Sequence, residues 1–426
     1  MNVLKEVLQH EVFPSLGCTE PIAVAYAASA AGSRVSGEIE EVRIAVDPGV
    51  FKNGFAVTVP NTDGEKGNLI AGVLGALVKK PELKMEVLRD VDRSLLDRAR
   101  ALIRDGKAAI TCDRTRTTLH IDVRVASGPD RARAVIAGAH TNLVRLEKNQ
   151  RVVFEKPPEG QGTDNENYKS ILAGMKISDF IDLARQIDEK DSAYIRRGIA
   201  MNLAISKEGR KLQKVGHYVA DLRNKGYLVN DIFSSTKILT ASAVDARMAG
   251  LSLPVMASGG SGNQGVVAIL VPCHVGRHFQ IPEETILQSI ALSHLINSYI
   301  KCFTGELSPL CGCAIASGVG AAAAIVFQQH GRDMKKITLA VNNVISDLGG
   351  MLCDGAKGGC ALKVASSTDS AIRAAFMALN DHGITHREGF VGRSAEETIR
   401  HLSQISKLGM AKADETMLGI MIEKTL

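Results

Sequence analysis

The stretch EKPPEGQGTDNENY, Glu155–Tyr168, decides how the rest of the chain is read. Its Pro, Gly and acidic residues bring little apolar surface to bury, and they mark a linker. The hydrophobic pattern changes across it. From about Ile39 to Glu155, Val42–Val46, Phe55–Val59, Ala108–Cys112, Thr118–Val125, Arg133–Ala137 and Arg151–Glu155 have strand character. Leu69–Val78 and Met85–Ile103 have helical spacing, and Asp47–Gly54 (DPGVFKNG) reads as a turn. From Lys169 onward the pattern is almost wholly helical, with candidates at Ile177–Gln186, Ala193–Ile205, Val215–Arg223, Glu283–Ile300, Met334–Leu348 and Ser394–Lys407. The expected fold class is α+β. A small mixed α/β-sheet domain covers residues 37–156, a linker 157–168, and a larger, mostly α-helical domain 169–426. Residues 1–36 hold an amphipathic helix and the Ala-rich Ile22–Ala31 helix, both expected to pack on the helical domain. The sheet unit is then an insertion near the start of the chain.

A length of 426 residues suffices for two or more domains with large cores. Aromatic residues make up 4% and Trp is absent, so the cores must be built from Ala, Val, Ile and Leu. That scarcity argues against nucleic-acid binding on stacked aromatic platforms. The net charge of +5 is small, and basic residues are spread among acids, as a solvated surface requires. The N-terminal MNVLKEVLQHEVF lacks the apolar core and cleavage site of a signal peptide. Apolar runs such as Gly318–Phe327 and Val266–Val271 fall far short of the ~20 residues that span a bilayer. The expectation is a cytoplasmic protein that acts on a small molecule and binds neither nucleic acid nor membrane. A homo-oligomer is compatible with the sequence. Eight cysteines in that compartment point to metal binding or catalysis in preference to disulfides.

Two cysteine-bearing stretches stand out, CFTGELSPLCGC (Cys302–Cys313) and LGGMLCDGAKGGC (Leu348–Cys360). An iron–sulfur cluster takes thiolate ligands, and three cysteines leave one iron of a cubane open as a Lewis acid. The spacing is neither C-x2-C nor a ferredoxin run, so small buried hydrophobes are an equal reading of the same thiols. In SLGCTEP (Ser15–Pro21), Thr19 is a candidate N-cap and Cys18 precedes a helix N-terminus. The helix dipole there lowers a thiol pKa, which suits a general base; the alternative is a capped helix that merely follows a cysteine. ASGGSGNQG (Ala257–Gly265) offers Ser258, Gly259, Gly260, Ser261 and Asn263 in a loop whose N–H groups suit a carboxylate. It lacks the Lys of a P-loop, and a tight helix–helix turn is the alternative. GAHTN places His140 and Asn142 at a strand end, where they line a site or serve the fold. Ser234–Lys237 matches S-x-x-K without its partner motifs and is set aside.

Together, GCTEP, KNG with TVP, GAHTN, ASGGSGNQG and CDGAKGGC resemble the L-cysteine desulfidase family, which is related to the iron–sulfur L-serine dehydratases. The resemblance runs over nearly the whole chain. It implies a [4Fe–4S] cluster, no pyridoxal phosphate, and β-elimination of L-cysteine to pyruvate, ammonia and hydrogen sulfide. By position it implies Cys311, Cys353 and Cys360 as cluster ligands, with Cys313 adjacent to Cys311 as the alternative. The offset of Cys311 from the Ala-rich SGVGAAAAIV is the closer match to the relatives. Cys18 is cast as proton acceptor and the Ser258–Gly265 loop as the seat of the substrate carboxylate. The chain ends MIEKTL, without the C-terminal cysteine that some serine dehydratases place on the open iron. Two other readings stay open. One is the same machinery acting on serine or another β-substituted amino acid. The other is a non-catalytic iron–sulfur redox protein with Cys311 and Cys313 as a reactive pair.

Overall fold

Alternating burial builds the sheet. In β2 (Glu41–Val46) Val42, Ile44 and Val46 point into the core while Arg43 faces out, the period-2 pattern of a strand covered on one side. The computed structural model describes residues 2–156, 164–305 and 308–424. The first part runs α1 (Val3–His10), β1 (Pro14–Ser15), α2 (Thr19–Gly32), β2, α3 (Pro48–Gly54), α4 (Asn68–Val78), α5 (Arg93–Arg104), β3 (Ala108–Cys112), β4 (His120–Ser127), β5 (Asp130–Ala137), β6 (Leu143–Lys148) and β7 (Arg151–Glu155). The six-stranded sheet has the order β3-β2-β4-β5-β6-β7, antiparallel except for the parallel β2–β3 pair.

Several expectations change here. Asp47–Gly54 is helical, because the Asp47 carboxylate accepts from Gly49 N at 2.8 Å and Val50 N at 3.1 Å, and Pro48 fits the first turn. Phe55–Val59 is not a strand; Val57 and Val59 are buried, but only Thr58 pairs, as a single bridge to Lys66. Met85–Ile103 is broken where Asp92 caps α5 by accepting from Leu95 N at 2.9 Å. The Ala-rich α2 packs along α4 and the sheet, and meets the helical part at its first turn, where Thr19 accepts from Arg247. Every one of its residues is buried, and their small side chains let α4 lie close along it. The amphipathic α1 does join the helical part, burying Val3, Leu4, Val7 and Leu8 against it.

The helical part comprises α6 (Asp164–Gly174), α7 (Ile177–Ala184), α8 (Glu189–Gly209), α9 (Val215–Asn224), α10 (Ile232–Met248), β8 (Val255–Met256), α11 (Gly262–His278), α12 (Glu283–Thr304), α13 (Ala316–His330), α14 (Met334–Leu348), α15 (Cys360–Leu379), α16 (Ala395–Gln404) and α17 (Ala411–Glu423). Of the expected linker, residues 157–163 lie outside the described residues, and Asp164–Tyr168 open α6. No described helix is long and apolar enough to cross a membrane. One short ribbon matters for the site. β1 pairs with β8, and beyond it Ala257 N donates to Phe13 O and Gly260 N to Glu11 O, both at 2.9 Å. This stitches the segment before Cys18 to the glycine-rich loop before α11.

Candidate active site

Four helices, α2, α11, α13 and α15, begin at one cavity of about 90 Å³. Thr19 and Glu20, Asn263 and Gln264, Ala316, and Cys360 are first-turn residues that line it. None of the four N-cap residues, Cys18, Ser261, Ile315 and Gly359, caps its helix with a side chain. Four positive dipole ends therefore meet at one space, an arrangement that favours anions; at α15 the first N–H groups are already taken, Cys360 N by Lys357 O at 2.9 Å and Ala361 N by Gly358 O at 3.2 Å.

Cys311, Cys313, Cys353 and Cys360 all line that cavity. A short backbone pairing brings the first and third together: Cys311 N donates to Met351 O at 2.9 Å and Cys353 N to Pro309 O at 2.7 Å. The following loop leans on α3. Ala356 N donates to Asn53 O at 3.1 Å, and a Cβ on Gly355 (φ +91°) would meet Lys52 O at 2.4 Å. Cys360 then opens α15. The thiols sense one another. The Cys313 thiol hydrogen-bonds Cys311 and holds it below the ordinary value despite burial, with Lys363 helping. The same contact, with burial, pushes Cys313 well up. Burial and the charge of Cys311 push Cys353 up to about 11, against the pull of Lys52. Burial likewise raises Cys360.

This donor set fits an iron–sulfur cluster: soft thiols, converging, with Lys52 and Lys363 supplying positive charge. Among the described residues, no three His, Cys, Asp or Glu side chains are grouped to hold a single metal ion. A cubane takes its thiolates on separate irons, so its ligands stand wider apart than those of one ion.

Cys18 and its neighbours line the same cavity. Cys18 Sγ donates to Glu20 Oε2 at 2.9 Å, Asn53 Nδ2 donates to Glu20 Oε1 at 3.1 Å, and His140 Nε2 lies 3.7 Å from the same Oε1. Burial pushes Glu20 up, but His140 and the Cys18 thiol bring it down to about 2, so it is a carboxylate at neutral pH. The expectation of a lowered Cys18 pKa is overturned. Burial and the Glu20 charge hold this thiol well above its ordinary value and outweigh Arg247 and the helix end.

The glycine-rich loop is divided in its roles. Ser258 does not reach the cavity; its Oγ accepts from Asn297 Nδ2 at 3.0 Å and meets His294 Nδ1 at 2.8 Å. Burial holds His294 down to about 3, so the ring is neutral. Gly259 turns its carbonyl to Lys301 Nζ. Gly260, Ser261 and Asn263 do line the cavity, and Asn263 Oδ1 accepts from Arg247 Nη1 at 3.0 Å. Asn142 stays on the sheet, where Nδ2 donates to Ala137 O at 2.8 Å and Oδ1 accepts from Lys156. Sequence reasoning gave no role to Glu20, Asn53, Arg247 and Lys363, which all line the cavity. Glu20 and Asn53 stood inside the singled-out GCTEP and KNG, while nothing set Arg247 apart, with Asp245 two residues before it.

The serine dehydratase alpha chain family model matches residues 82–419. The chain is 61% identical over 424 residues to a UPF0597 protein of Geobacter sulfurreducens, covering 100% of this chain and 99% of that one. It is 53% identical to a UPF0597 protein of Elusimicrobium minutum, covering 100% of both, and 39% identical to one of Clostridium tetani, covering 99% of both. No solved structure matches it.

Proposed function

Because the chain belongs to the UPF0597 family and carries a serine dehydratase alpha chain domain, we propose that it is an iron–sulfur lyase that performs β-elimination on L-cysteine. The products are pyruvate, ammonia and hydrogen sulfide. One observation carries the reading: four thiols and a buried thiol–carboxylate pair line a single cavity, linked through Asn53. Cys311, Cys353 and Cys360 hold the [4Fe–4S] cluster in this proposal. When bound, a cluster with one iron free of protein ligands supplies a Lewis acid for the departing heteroatom.

The chain's own residues handle the proton and the orientation. The α-proton of an amino acid is very weakly acidic, so a base must be positioned against it. Cys18 is a thiol at rest with the Glu20 carboxylate beside it, so it acts as a base only after its proton has left to solvent, before the substrate binds. Burial and the Glu20 charge make the resulting thiolate more basic, and it takes the proton from the substrate α-carbon, while Glu20, held near 2, orients Cys18 and is too weak a base to keep a proton itself. Asn53 and His140 fix the carboxylate from its other oxygen. Burial excludes water from that contact. The aminoacrylate released then tautomerises and hydrolyses without further help.

The serine dehydratase match favours a second reading, with L-serine as substrate. Anaerobic purification with iron and sulfide analysis, followed by assays of sulfide release from L-cysteine and pyruvate formation from L-serine, separates the two. A larger kcat/KM for L-cysteine supports the proposal, and a larger one for L-serine replaces the substrate. A chain that takes up no iron overturns the lyase reading.

A further inference from the structure

Arg247, in the last turn of α10, is 2% exposed. Among the described residues it has no carboxylate partner. Nη1 donates to Asn263 Oδ1 at 3.0 Å, Nη2 to Thr19 Oγ1 at 3.4 Å, and Nε is buried without a partner. A guanidinium taken out of water and left with neutral neighbours is costly unless a counter-charge arrives. Its position says which one. The guanidinium lies over Gly262, where a Cβ would meet Nε at 2.4 Å, at the start of α11. The N–H groups of Gly262, Asn263 and Gln264 have no partner within their helix, and Ser261 does not cap them. Cys311 and Cys353 draw positive charge from Lys363 and Lys52, whereas Arg247 acts on Cys18.

We propose that Arg247 and the first turn of α11 seat the α-carboxylate of the substrate, making a free carboxylate the requirement for entry. This deepens the lyase reading and rests on it for the word substrate. The fork of an arginine matches a carboxylate geometrically, and first-turn N–H groups supply the remaining donors. Because Arg247 also reaches Thr19, a carboxylate held there sets the adjacent α-carbon toward the Cys18–Glu20 pair.

The test is calorimetric binding to the full chain after anaerobic cluster reconstitution. The probes are 3-mercaptopropionate and 3-hydroxypropionate, which keep the carboxylate, and cysteamine and ethanolamine, which keep the amine. The wild-type chain is expected to prefer both acids. Arg247→Gln should weaken the acids by about 30-fold or more, leave the amines and the iron content unchanged, and Arg247→Lys should recover part of the loss. A wild-type chain that binds amines as tightly as acids overturns the proposal without any variant. So does an Arg247→Gln chain that retains iron and binds the acids undiminished, or loses acids and amines equally. A chain that turns over neither cysteine nor serine must still show the acid preference, so failure of the lyase reading is seen separately.

Discussion

Replacing Glu20 by Gln keeps the shape of a buried side chain and removes its charge, which isolates what that charge contributes. Glu20 accepts from Cys18 and Asn53 and stands beside His140, and these neighbours bring its carboxyl from the ordinary 4.5 to about 2 against the cost of burial. The difference is worth about 3 kcal/mol at pH 7, at roughly 1.4 kcal/mol for each pH unit. The folded pKa is the lower one, so this stability is complete above the unfolded value and is lost as pH falls through the folded one. At pH 3 roughly half of it survives by the same linkage relation. Urea unfolding of the cluster-free chain should therefore show Glu20→Gln destabilised by about 3 kcal/mol at pH 7, with the gap to wild type narrowing by pH 3. With the cluster reconstituted, the variant should retain iron and lose about 10²- to 10⁴-fold in turnover, because a neutral amide no longer raises the basicity of the Cys18 thiolate. A gap that is equally wide at both pH values refutes the charge argument. Full turnover refutes the assignment of Glu20 as the group that tunes the Cys18 base.

Cys311, Cys353 and Cys360 replaced singly by Ala are each expected to lose iron on anaerobic analysis, while Cys313→Ala keeps it; the reverse result at 311 and 313 exchanges that ligand. Ser258→Ala leaves Asn297 Nδ2 and His294 Nδ1 without their shared partner and should cost about 1–3 kcal/mol of stability. Iron content and the KM for the amino acid are expected to hold, and a large rise in KM at unchanged stability would restore Ser258 to the substrate site.

The parts of the fold that were legible are those with one wet face. Val42–Val46 and Met334–Leu348 show their period because polar residues such as Arg43, Lys335 and Asp347 mark the exposed side. The helices α10 and α15 gave no comparable signal; most of α10 and much of α15 are buried, so polar residues do not trace one face. Asp47–Gly54 was misread although its start was written in the chain: Asp followed by Pro is a helix opening, and glycine at the far end masked it. At the site, the cysteines were visible as residue types. The partners that set their chemistry come from elements distant in sequence. Cys18 illustrates the loss: its place at a helix end was readable, but the carboxylate two residues on and the depth of burial reverse the pKa that place implies.

Asn53 explains why the sheet part and the helical part must meet for the site to exist. Its backbone carbonyl accepts from Ala356, inside the loop between Cys353 and Cys360, while its side chain donates to Glu20 and faces Cys353 Sγ at 3.9 Å. One residue on α3 thus touches both the thiol wall and the proton-handling wall. Lys52 beside it pairs with Asp414 of α17, so α3 is held from the C-terminal end of the chain as well. The four helix N-termini supply a field that draws anions in, but a field alone orients nothing. The distance between the thiols and the Cys18–Glu20 pair is set through α3, and α3 is a helix because Asp47 caps it. A residue that does not line the cavity therefore determines whether a leaving group and an α-proton are addressed in the same molecule.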